Sequence, residues 1–354
     1  NLFNLRYETK QVEEDYSNIL NLGFEIGHAF YNSDRHRKED EQLGQNYHAD
    51  LKARAFYVQN TTYYNELDLV MSLGARHERS ETAARDEVYR TVAGFVNSWD
   101  ATDHDTYNND RNNTAFNIGL EKGVNKNLSI YGSYSESFRI PNIDEHIKAT
   151  TSGNFHLEDQ ESDGIEIGLL YQNDQIDVNA SYYSMDTKNE IQYNQSVNTN
   201  LDPIERQGIN IDLDYKIDEK QKIISSFNFT EAEFTSGTLT PGSGGAGTCN
   251  YDNTTYCSNS STWQNLMGGG TSYSLAGKSV PLVSPITYSI SYVNKFSSDM
   301  TFNLGIKYND EKYVSNDQEN IEPKIPDYYL INTSLSSNKG PYVYKIGINN
   351  LTNE

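Results

Sequence analysis

The chain has 354 residues and a net charge of -22, and only 36 % of its residues are hydrophobic. Soluble domains normally contain about 45–50 % apolar residues, so either much of the chain is unstructured or each element has only one narrow apolar face. The negative charge argues against a nucleic acid partner, whose phosphates would be repelled. No apolar run reaches the length of about 18–20 residues that a transmembrane helix needs.

The first ten residues, NLFNLRYETK, are polar and lack the hydrophobic region of a signal peptide. If the protein is exported, we therefore expect this sequence to be a mature product or a fragment. Next along the chain, FYVQNTTYYNELDLVMSLGARHE at 56–78 has the pattern of two strands joined by a short turn.

Apolar and polar residues alternate with a period of two along most of the chain, and helical periodicity is nearly absent. The clearest strand patterns are SIYGSYSESF at 129–138, DGIEIGLLY at 163–171, IDVNASYY at 176–183, GINIDLDYKI at 208–217, ITYSISYVNKF at 286–296, TFNLGIKY at 301–308 and VYKIGINN at 343–350. In GINIDLDYKI, for example, Ile209, Ile211 and Leu213 fall on one face. These segments are predicted to be strands with one apolar and one polar face, and we count about 14 of them.

Short and long connections alternate along the chain. Short polar turns are predicted at 65–67, 125–127, 173–175, 218–220, 297–299 and 338–340, and long polar segments at about 31–48, 81–112, 139–162, 188–204, 235–285 and 310–326. In an antiparallel up-and-down arrangement, all short turns lie at one end and all long loops at the other. This asymmetry is typical of an outer-membrane β-barrel with periplasmic turns and extracellular loops. A soluble β-sandwich or β-helix is the alternative.

A barrel also accounts for the composition, because only its lipid-facing band has to be apolar. Tyrosines near the predicted strand ends are suited to the aromatic girdles at the membrane interfaces, and they include Tyr63, Tyr64, Tyr182, Tyr183, Tyr328 and Tyr329. The fold class predicted from the sequence is therefore all-β, an antiparallel transmembrane β-barrel domain over residues 1–354.

Six segments, in order over residues 113–354, resemble the TonB-dependent outer-membrane receptors. LSIYGSYSESFRIPNIDE is similar to the family's YASYSxSFRAPxLxEL, and LEDQESDGIEIGL to its LKPExSxxxEIGL. The other four are VNASYYSMDTKNEIQY, ERQGINIDLDYKIDEKQKIISSFNFTEAEF, GKSVPLVSPITYSISY and INNLTNE. Members of this family carry an N-terminal plug domain, a preceding TonB box and 22 strands. The resemblance therefore implies a C-terminal barrel fragment that lacks the plug and the final strand, with two open sheet edges.

The resemblance implies uptake of a scarce ligand across the outer membrane of a Gram-negative bacterium, driven by the TonB complex. The expected ligand is a ferric siderophore or another iron complex, with haem or cobalamin as alternatives, and lipid and lipopolysaccharide surround the barrel. No catalytic residues, resident metal or cofactor are expected, and the sequence contains no GxSxG, HExxH or CxxC motif. A passive pore and a surface-binding barrel, such as an adhesin, remain alternative functions.

Candidate ligand contacts lie in two of the predicted loops. Some haem receptors of the family place an axial histidine in the loop after the FRIP segment, where this chain has His146 and His156. Arg139, within the FRIP segment, is a further candidate contact. The chain lacks the NPNL of those receptors and has GNFHLEDQ there, so ordinary exposed histidines are the alternative. Five acidic residues surround the histidines: Asp144, Glu145, Glu158, Asp159 and Glu161. They would repel an anionic chelate, favour a cationic ligand or bind divalent ions, and the remaining alternative is that they are simply solvated.

The longest predicted loop, 235–285, contains aromatic residues and the only two cysteines of the chain. Tyr251, Tyr256 and Trp263 are candidate ligand contacts, with packing inside the loop as the alternative. Cys249 and Cys257 are predicted to form a disulfide in an oxidising compartment, the alternative being two free thiols.

Overall fold

The structure is a computed structural model that describes residues 2–36, 43–89, 101–145, 157–194, 197–239 and 273–353. Within these ranges every regular element is a β-strand. Among them there is no helix with the length and apolar character needed to cross a membrane.

The main sheet has 14 strands. Its strands are β1 (Leu2–Val12), β2 (Tyr16–His36), β3 (Leu43–Tyr64), β4 (Leu69–Tyr89), β5 (Ala101–Asn125), β6 (Leu128–Arg139), β7 (Gln160–Gln172), β8 (Ile176–Lys188), β11 (Ile204–Lys216), β12 (Gln221–Phe234), β15 (Ile286–Lys295), β16 (Met300–Asn309), β17 (Tyr328–Lys339) and β18 (Tyr342–Ile348). Two further pairs of short strands are β9 (Ile191–Asn194) with β10 (Val197–Asn200), and β13 (Thr238–Leu239) with β14 (Tyr273–Ser274).

The strands of the main sheet follow one another in chain order, with β1 and β18 at the two ends of that order. Neighbouring strands are antiparallel, as in the pairs β1–β2, β11–β12 and β16–β17. The sequence prediction of about 14 antiparallel strands is confirmed. By contacts along the chain, the molecule divides into two compact units. The first consists of Asn1–Lys122, Gly132–Ile165 and Thr187–Leu201, and the second of Gly123–Tyr131, Glu166–Asp186 and Asp202–Glu354.

The short turns are closed by side chains that mimic a backbone acceptor. Asn173 Oδ1 accepts hydrogen bonds from the backbone N–H groups of Gln175 (2.9 Å) and Ile176 (2.8 Å), which begins β8. Asp218 Oδ1 does the same for Lys220 (2.7 Å) and Gln221 (2.8 Å). The N–H of Lys220 is the largest influence that lowers the pKa of the Asp218 carboxyl. Asparagine and aspartate in these turns therefore fix where each strand pair reverses.

Strands β2 to β5 are longer than the sequence analysis predicted, with 21, 22, 21 and 25 residues. They continue as paired strands into the predicted long segments 31–48 and 81–112. The reason is that an extended strand remains paired where its exposed face is charged rather than apolar, and such a stretch has no apolar face from which a strand could be predicted. The placement of the long segments outside the cell stays a prediction.

In the second unit, the strand register places apolar side chains together on one face. One row across β11, β12, β15, β16 and β17 consists of Ile211, Phe227, Tyr288, Tyr308 and Tyr329, and the next of Leu213, Ser225, Ile290, Ile306 and Ile331. The opposite face is mostly polar, with the row Asn210, Asn228, Thr287, Asn309 and Tyr328. Ile211 and Ile306 are exposed on the apolar face, so this unit turns hydrophobic side chains outward.

In the first unit, exposure alternates with a period of two along β3, β4 and β5. On β3, Ala49 and Ala55 are 2 % and 3 % exposed, whereas their neighbours His48 and Phe56 are exposed. On β4, Glu78, Ser80, Thr82 and Ala84 are buried. The buried face of these strands is therefore built from small, polar and charged residues, and the opposite face is exposed.

Candidate ligand-binding site

The buried face of β3, β4 and β5 ends, on the side of the long connections, in a small cluster of aromatic and small residues. Tyr47, Ala49, Ala84 and Tyr107 form this cluster, and Tyr31 packs against it with its ring centroid 5.9 Å from that of Tyr47. Ala49 lies directly opposite Ala84, which lies opposite Tyr107. Because two of these positions are alanines, this part of the buried face has room for the tyrosine rings.

The segment after β6 is bound to this cluster. Tyr47 donates a hydrogen bond of 2.5 Å from its hydroxyl to the carbonyl oxygen of Ile143, whose side chain packs on the cluster. Within the segment, Glu145 accepts a hydrogen bond of 2.7 Å from the N–H of Asn142 and forms an ion pair with Arg139 at the end of β6. The FRIP segment therefore ends in a turn that is held by its own arginine and glutamate.

A buried ion pair holds the next segment, residues 157–159, against the same face. Arg111 on β5 pairs with Asp159, and its guanidinium also donates to the Tyr107 hydroxyl and the carbonyl oxygen of Leu157. The side chains of Arg111 and Asp159 are only 8 % and 10 % exposed. The second oxygen of Asp159 accepts a hydrogen bond of 2.7 Å from Asn113. Each charge is thus compensated and hydrogen-bonded, which a buried pair requires.

The hairpin β9–β10 continues this polar layer. The side chain of Asn200 forms two hydrogen bonds with the backbone of residue 158. It donates to the carbonyl oxygen (3.0 Å) and accepts from the N–H (2.8 Å). Asn198 donates to the carbonyl oxygen of Glu145 (3.0 Å), and Asn189 to that of Asp159 (3.3 Å). Three segments from two connections of the first unit are therefore joined by asparagine side chains into one layer on the buried face.

Closer to the short turns, the buried face carries a second group of charges. Arg76 pairs with Glu25 at 2.7 Å and with Glu78 at 2.5 Å. Ser80, which lies directly opposite Arg111, is fully buried, and its hydroxyl has no hydrogen-bond partner among the described residues. An unsatisfied hydroxyl beside the buried Arg111 is a polar position that could accept or donate a further hydrogen bond on this face.

The second unit has its own polar segment between β16 and β17. Asp317 accepts hydrogen bonds from the N–H groups of Ile321 (3.0 Å) and Glu322 (3.1 Å), and Asn320 joins Ser279 through two hydrogen bonds of 2.7 and 2.9 Å. Burial raises the pKa of the carboxyl of Glu319 and that of Glu322, and the nearby Asp317 charge adds to both shifts. This segment is therefore acidic and partly desolvated.

These arrangements are suited to binding rather than to covalent chemistry. The buried face presents amides, hydroxyls and two arginines that are already held by carboxylates, which is a fixed set of donors and acceptors for a polar ligand. Within the described ranges, no group of three or more histidine, cysteine, aspartate or glutamate side chains is placed to hold a metal ion.

Of the candidate residues predicted from the sequence, only Arg139 lies among the described residues. Its guanidinium pairs with Glu145 and remains 40 % exposed. His146, His156, Cys249, Tyr251, Tyr256, Cys257 and Trp263 lie outside the described residues, so their roles stay predictions. Of the five acidic residues near the histidines, Asp159 is buried and Glu145 is largely buried, each in an ion pair with an arginine, which argues against the alternative of simple solvation for these two. The sequence analysis missed Arg111, Tyr47 and Tyr107, because no short motif links residues so far apart.

Comparison with known protein families shows to which family the chain belongs. The family model described as TonB dependent receptor-like, beta-barrel, matches residues 2–351. The chain belongs to this family. Its members are outer-membrane transport receptors of Gram-negative bacteria. No curated protein sequence matches the chain.

Solved structures of TonB-dependent receptors share this fold. The chain is similar to the ferric-catecholate import receptor Fiu from E. coli K12 in its closed form, with 14 % identity and a TM-score of 0.73. It is also similar to the ferric yersiniabactin uptake receptor FyuA from Yersinia pestis (13 %, 0.69) and the siderophore receptor PiuA from Acinetobacter baumannii (15 %, 0.66). All of this chain is covered in each comparison, but only 50 %, 49 % and 52 % of those proteins. The chain therefore spans about half the length of these receptors.

Family membership gives the two faces of the sheet their environment. In such barrels, residues that face lipid are apolar, and residues that face the interior are polar. The exposed face of the second unit, with Ile211 and Ile306, has the apolar character of a lipid-facing surface, and the buried face of the first unit, with Arg111 and Asp159, has the polar character of an interior surface.

Proposed function

We propose that the protein takes up a scarce ligand across the outer membrane in a TonB-coupled manner, and that the ligand is a ferric siderophore or another iron complex. The family match over residues 2–351 carries this proposal. The structures of iron-chelate receptors that share the fold support it. Because these proteins are only 12–15 % identical to the chain, they support a class of ligand and do not identify a particular compound.

The interior face of the first unit provides a suitable binding environment. It combines tyrosine hydroxyls, asparagine amides and the arginines 76 and 111 in a layer that is held by hydrogen bonds. A siderophore complex presents many oxygen atoms and a compact charge, which such donors recognise. Arg139, Tyr251, Tyr256 and Trp263 are proposed as further contacts of the incoming ligand, and His146 and His156 as contacts if that ligand is haem.

An uptake experiment tests the proposal. The complete gene, sequenced on both sides of this region, is deleted from its host, and uptake of radioactive iron is measured under iron limitation with catecholate, hydroxamate and citrate chelates. We expect one class to lose uptake in the deletion strain and to regain it when the gene returns. Uptake should also stop when the proton gradient is dissipated.

Two results would contradict the proposal. Uptake that depends on the gene but persists without the proton gradient would indicate a passive pore. Uptake of every chelate at the wild-type rate in the deletion strain would remove the transport function altogether. Replacing His146 or His156 by alanine should leave chelate uptake intact unless haem is the ligand, in which case growth on haem should fail.

A further inference from the structure

Arg111 and Asn113, two residues apart on β5, form a site for a carboxylate group on the buried face of the first unit. The guanidinium of Arg111 pairs with one oxygen of Asp159, and the amide of Asn113 donates a hydrogen bond of 2.7 Å to the other oxygen. Arg111 and Asn113 are buried within a strand, whereas Asp159 comes from the connecting segment that precedes β7. The strand therefore provides the donors, and the segment provides the carboxylate that they bind.

Ser80 adds a donor to this site that Asp159 does not use. Ser80 lies directly opposite Arg111 in the register of β4 and β5, so the two side chains start about 5 Å apart. Its side chain is completely buried, and its hydroxyl forms no hydrogen bond with any described residue. A buried hydroxyl without a partner is unfavourable, so Ser80 favours an oxygen atom that lies closer to it than those of Asp159.

The charge of Arg111 is paired with no other carboxylate among the described strands. Glu78 lies in the next row, directly opposite Asn113, but it is bound to Arg76 at 2.5 Å. If Asp159 moved away alone, Arg111 would remain buried without a counter-ion. This cost makes such a displacement rarer by a factor on the order of a hundred or more. Exchange of Asp159 for another carboxylate avoids this cost, because the charge of Arg111 stays paired.

The contact with Arg111 also fixes the position of segment 157–159. The carbonyl oxygen of Asp159 accepts a hydrogen bond of 3.3 Å from Asn189, and the preceding residue is bound by Asn200. These asparagine amides bind neutral backbone groups, and each such hydrogen bond contributes little by itself. The ion pair with Arg111 is the charged contact between the segment and the strands. Displacement of Asp159 therefore releases the segment.

We propose that Asp159 is an internal competitor of the ligand, and that a carboxylate group of the ligand displaces it from Arg111. The displacing carboxylate binds Asn113 and Ser80 as well, and its binding releases segment 157–159. This inference rests on the proposed uptake function, and it names a carboxylate as the group of the ligand that this face recognises. Ligand binding and release of the segment are coupled, because the ligand and Asp159 compete for the same donors.

Acetate is the probe, because it carries the group in question and does not depend on which ligand is transported. The intact gene product in detergent micelles is titrated with sodium acetate at constant ionic strength. Acetamide, which has the same shape but no charge, is the matched control. The measured quantity is the acetate concentration that gives half of the increase in unfolding temperature. The native protein is compared with Asn200→Ala and Asp159→Ala.

The three proteins should fall in a fixed order. Asp159→Ala removes the competitor and should require about tenfold less acetate than the native protein, or less still. Asn200→Ala keeps both charges and only loosens the segment, so it should require about threefold less acetate than the native protein. Adding Ser80→Ala to Asp159→Ala should raise the requirement about tenfold, because a hydrogen bond to a charged group is lost. Asn303→Ala, in the second unit, is the control and should behave like the native protein.

Hydrogen exchange separates competition from a purely structural ion pair. In Asn200→Ala, acetate should increase amide exchange in segment 157–159, and acetamide should not. If the pair were only structural, Asn200→Ala would respond to acetate as the native protein does, and acetate would restore protection of the segment in Asp159→Ala. Either result would overturn the proposal, as would the lack of any acetate effect in Asp159→Ala. If Asp159→Ala does not fold, the comparison of Asn200→Ala with the native protein decides.

The outcome can be distinguished from that of the uptake experiment, since acetate binding is measured without transport. The expected order of acetate responses without gene-dependent uptake would support the internal competitor and remove the transport function. Gene-dependent uptake without an acetate response in any variant would support transport and remove the internal competitor.

Discussion

Strands β2–β5 and strands β11–β17 use the same construction with different charges. Both groups expose apolar side chains near the short turns, such as Phe56 in the first and Ile306 in the second. Toward the long connections, β3 and β4 expose charges of both signs, with Lys52 and Arg79 beside Asp50 and Glu81, whereas β11 and β12 expose Glu205 and Glu231. Both regions therefore have exposed apolar side chains near the short turns, and they differ in the charged residues that lie toward the long connections.

The two groups also differ in what covers their ends. In the first, residues 140–145 and 157–160 and the hairpin β9–β10 are held to the strands by a buried ion pair and asparagine amides. In the second, the segment between β16 and β17 is held by Asp317 and includes partly buried glutamates. The buried Arg111 and Asp159 compensate each other in the first region, whereas the partly buried Glu319 and Glu322 of the second lie near another carboxylate, that of Asp317. This difference leads to different responses to mutation and to pH.

The largest effect is expected from breaking the buried pair of the first region. Asp159→Asn leaves the Arg111 guanidinium buried without a counter-ion, which should lower the free energy of unfolding by about 3–5 kcal/mol. Denaturant unfolding of the complete protein in micelles measures this loss. Segment 157–159 should also lose protection from hydrogen exchange.

Two controls sharpen this result. Asp110→Asn removes the carboxylate that pairs with the exposed Arg79, and it should leave unfolding unchanged within error. Replacing Arg111 by methionine and Asp159 by leucine together should recover most of the stability, because no charge is then left unpaired. An Asp159→Asn protein as stable as the native one would show that the pair does not hold this segment.

The exposed face of the second region should be the next most sensitive. Leu304→Arg places a charge on the lipid side and should cost about 2–4 kcal/mol in lipid-based unfolding, and Ile290→Arg should behave alike. Ser289→Arg is the matched control, because Ser289 lies opposite Lys307 on the polar face. Equal losses at Leu304 and Ser289 would contradict the assignment of the two faces.

The sequence predicted the strands well wherever one face is apolar. GINIDLDYKI and TFNLGIKY became β11 and β16, and the turns at 173–175 and 218–220 are where their asparagine and aspartate placed them. The outer halves of β3 and β4 were missed because their buried face carries Ala49, Ser80 and Thr82 instead of large apolar residues. Alternation of small and charged residues resembles an ordinary polar loop.

The interior site was largely beyond prediction. Arg111 and Asp159 are 48 residues apart, and only the strand register shows that one reaches the other. The sequence analysis named Asp159 and Glu145 as acidic neighbours of the histidines, but their burial depends on Tyr47, Arg111 and Asn113 from other strands. The family resemblance supplied the fold and the function class, and it did not supply these contacts.

The acidic segment of the second region should respond to pH. Burial raises the pKa of Glu319 and of Glu322 above the ordinary 4.5, so the folded state binds these protons more tightly than the unfolded state. Stability of the segment should therefore increase as the pH falls from neutral through the raised pKa, and it should level off below about 4.5. Hydrogen exchange at Ile321 and Glu322, whose N–H groups bind Asp317, measures the change.

Substitution separates this effect from a general response to acid. Glu319→Gln should protect the segment at neutral pH and reduce the pH dependence, because the charge that burial penalises is gone. Glu8→Gln, on the exposed strand β1, is the control and should change neither. Protection that decreases on mild acidification would contradict the sign of the predicted effect.

The smallest effect concerns the longest connection of the second region. Cys249 and Cys257 enclose only a few residues, so a disulfide between them should contribute little to global stability, since the gain grows with the length of the closed loop. The intact mass of the mature, unreduced protein should be lower than that of the reduced protein by the mass of two hydrogen atoms, and no thiol should react with an alkylating agent. The control is the same protein after reduction, in which both cysteines should be alkylated. Two reactive thiols before reduction would exclude the disulfide, and the connection would then be covalently open.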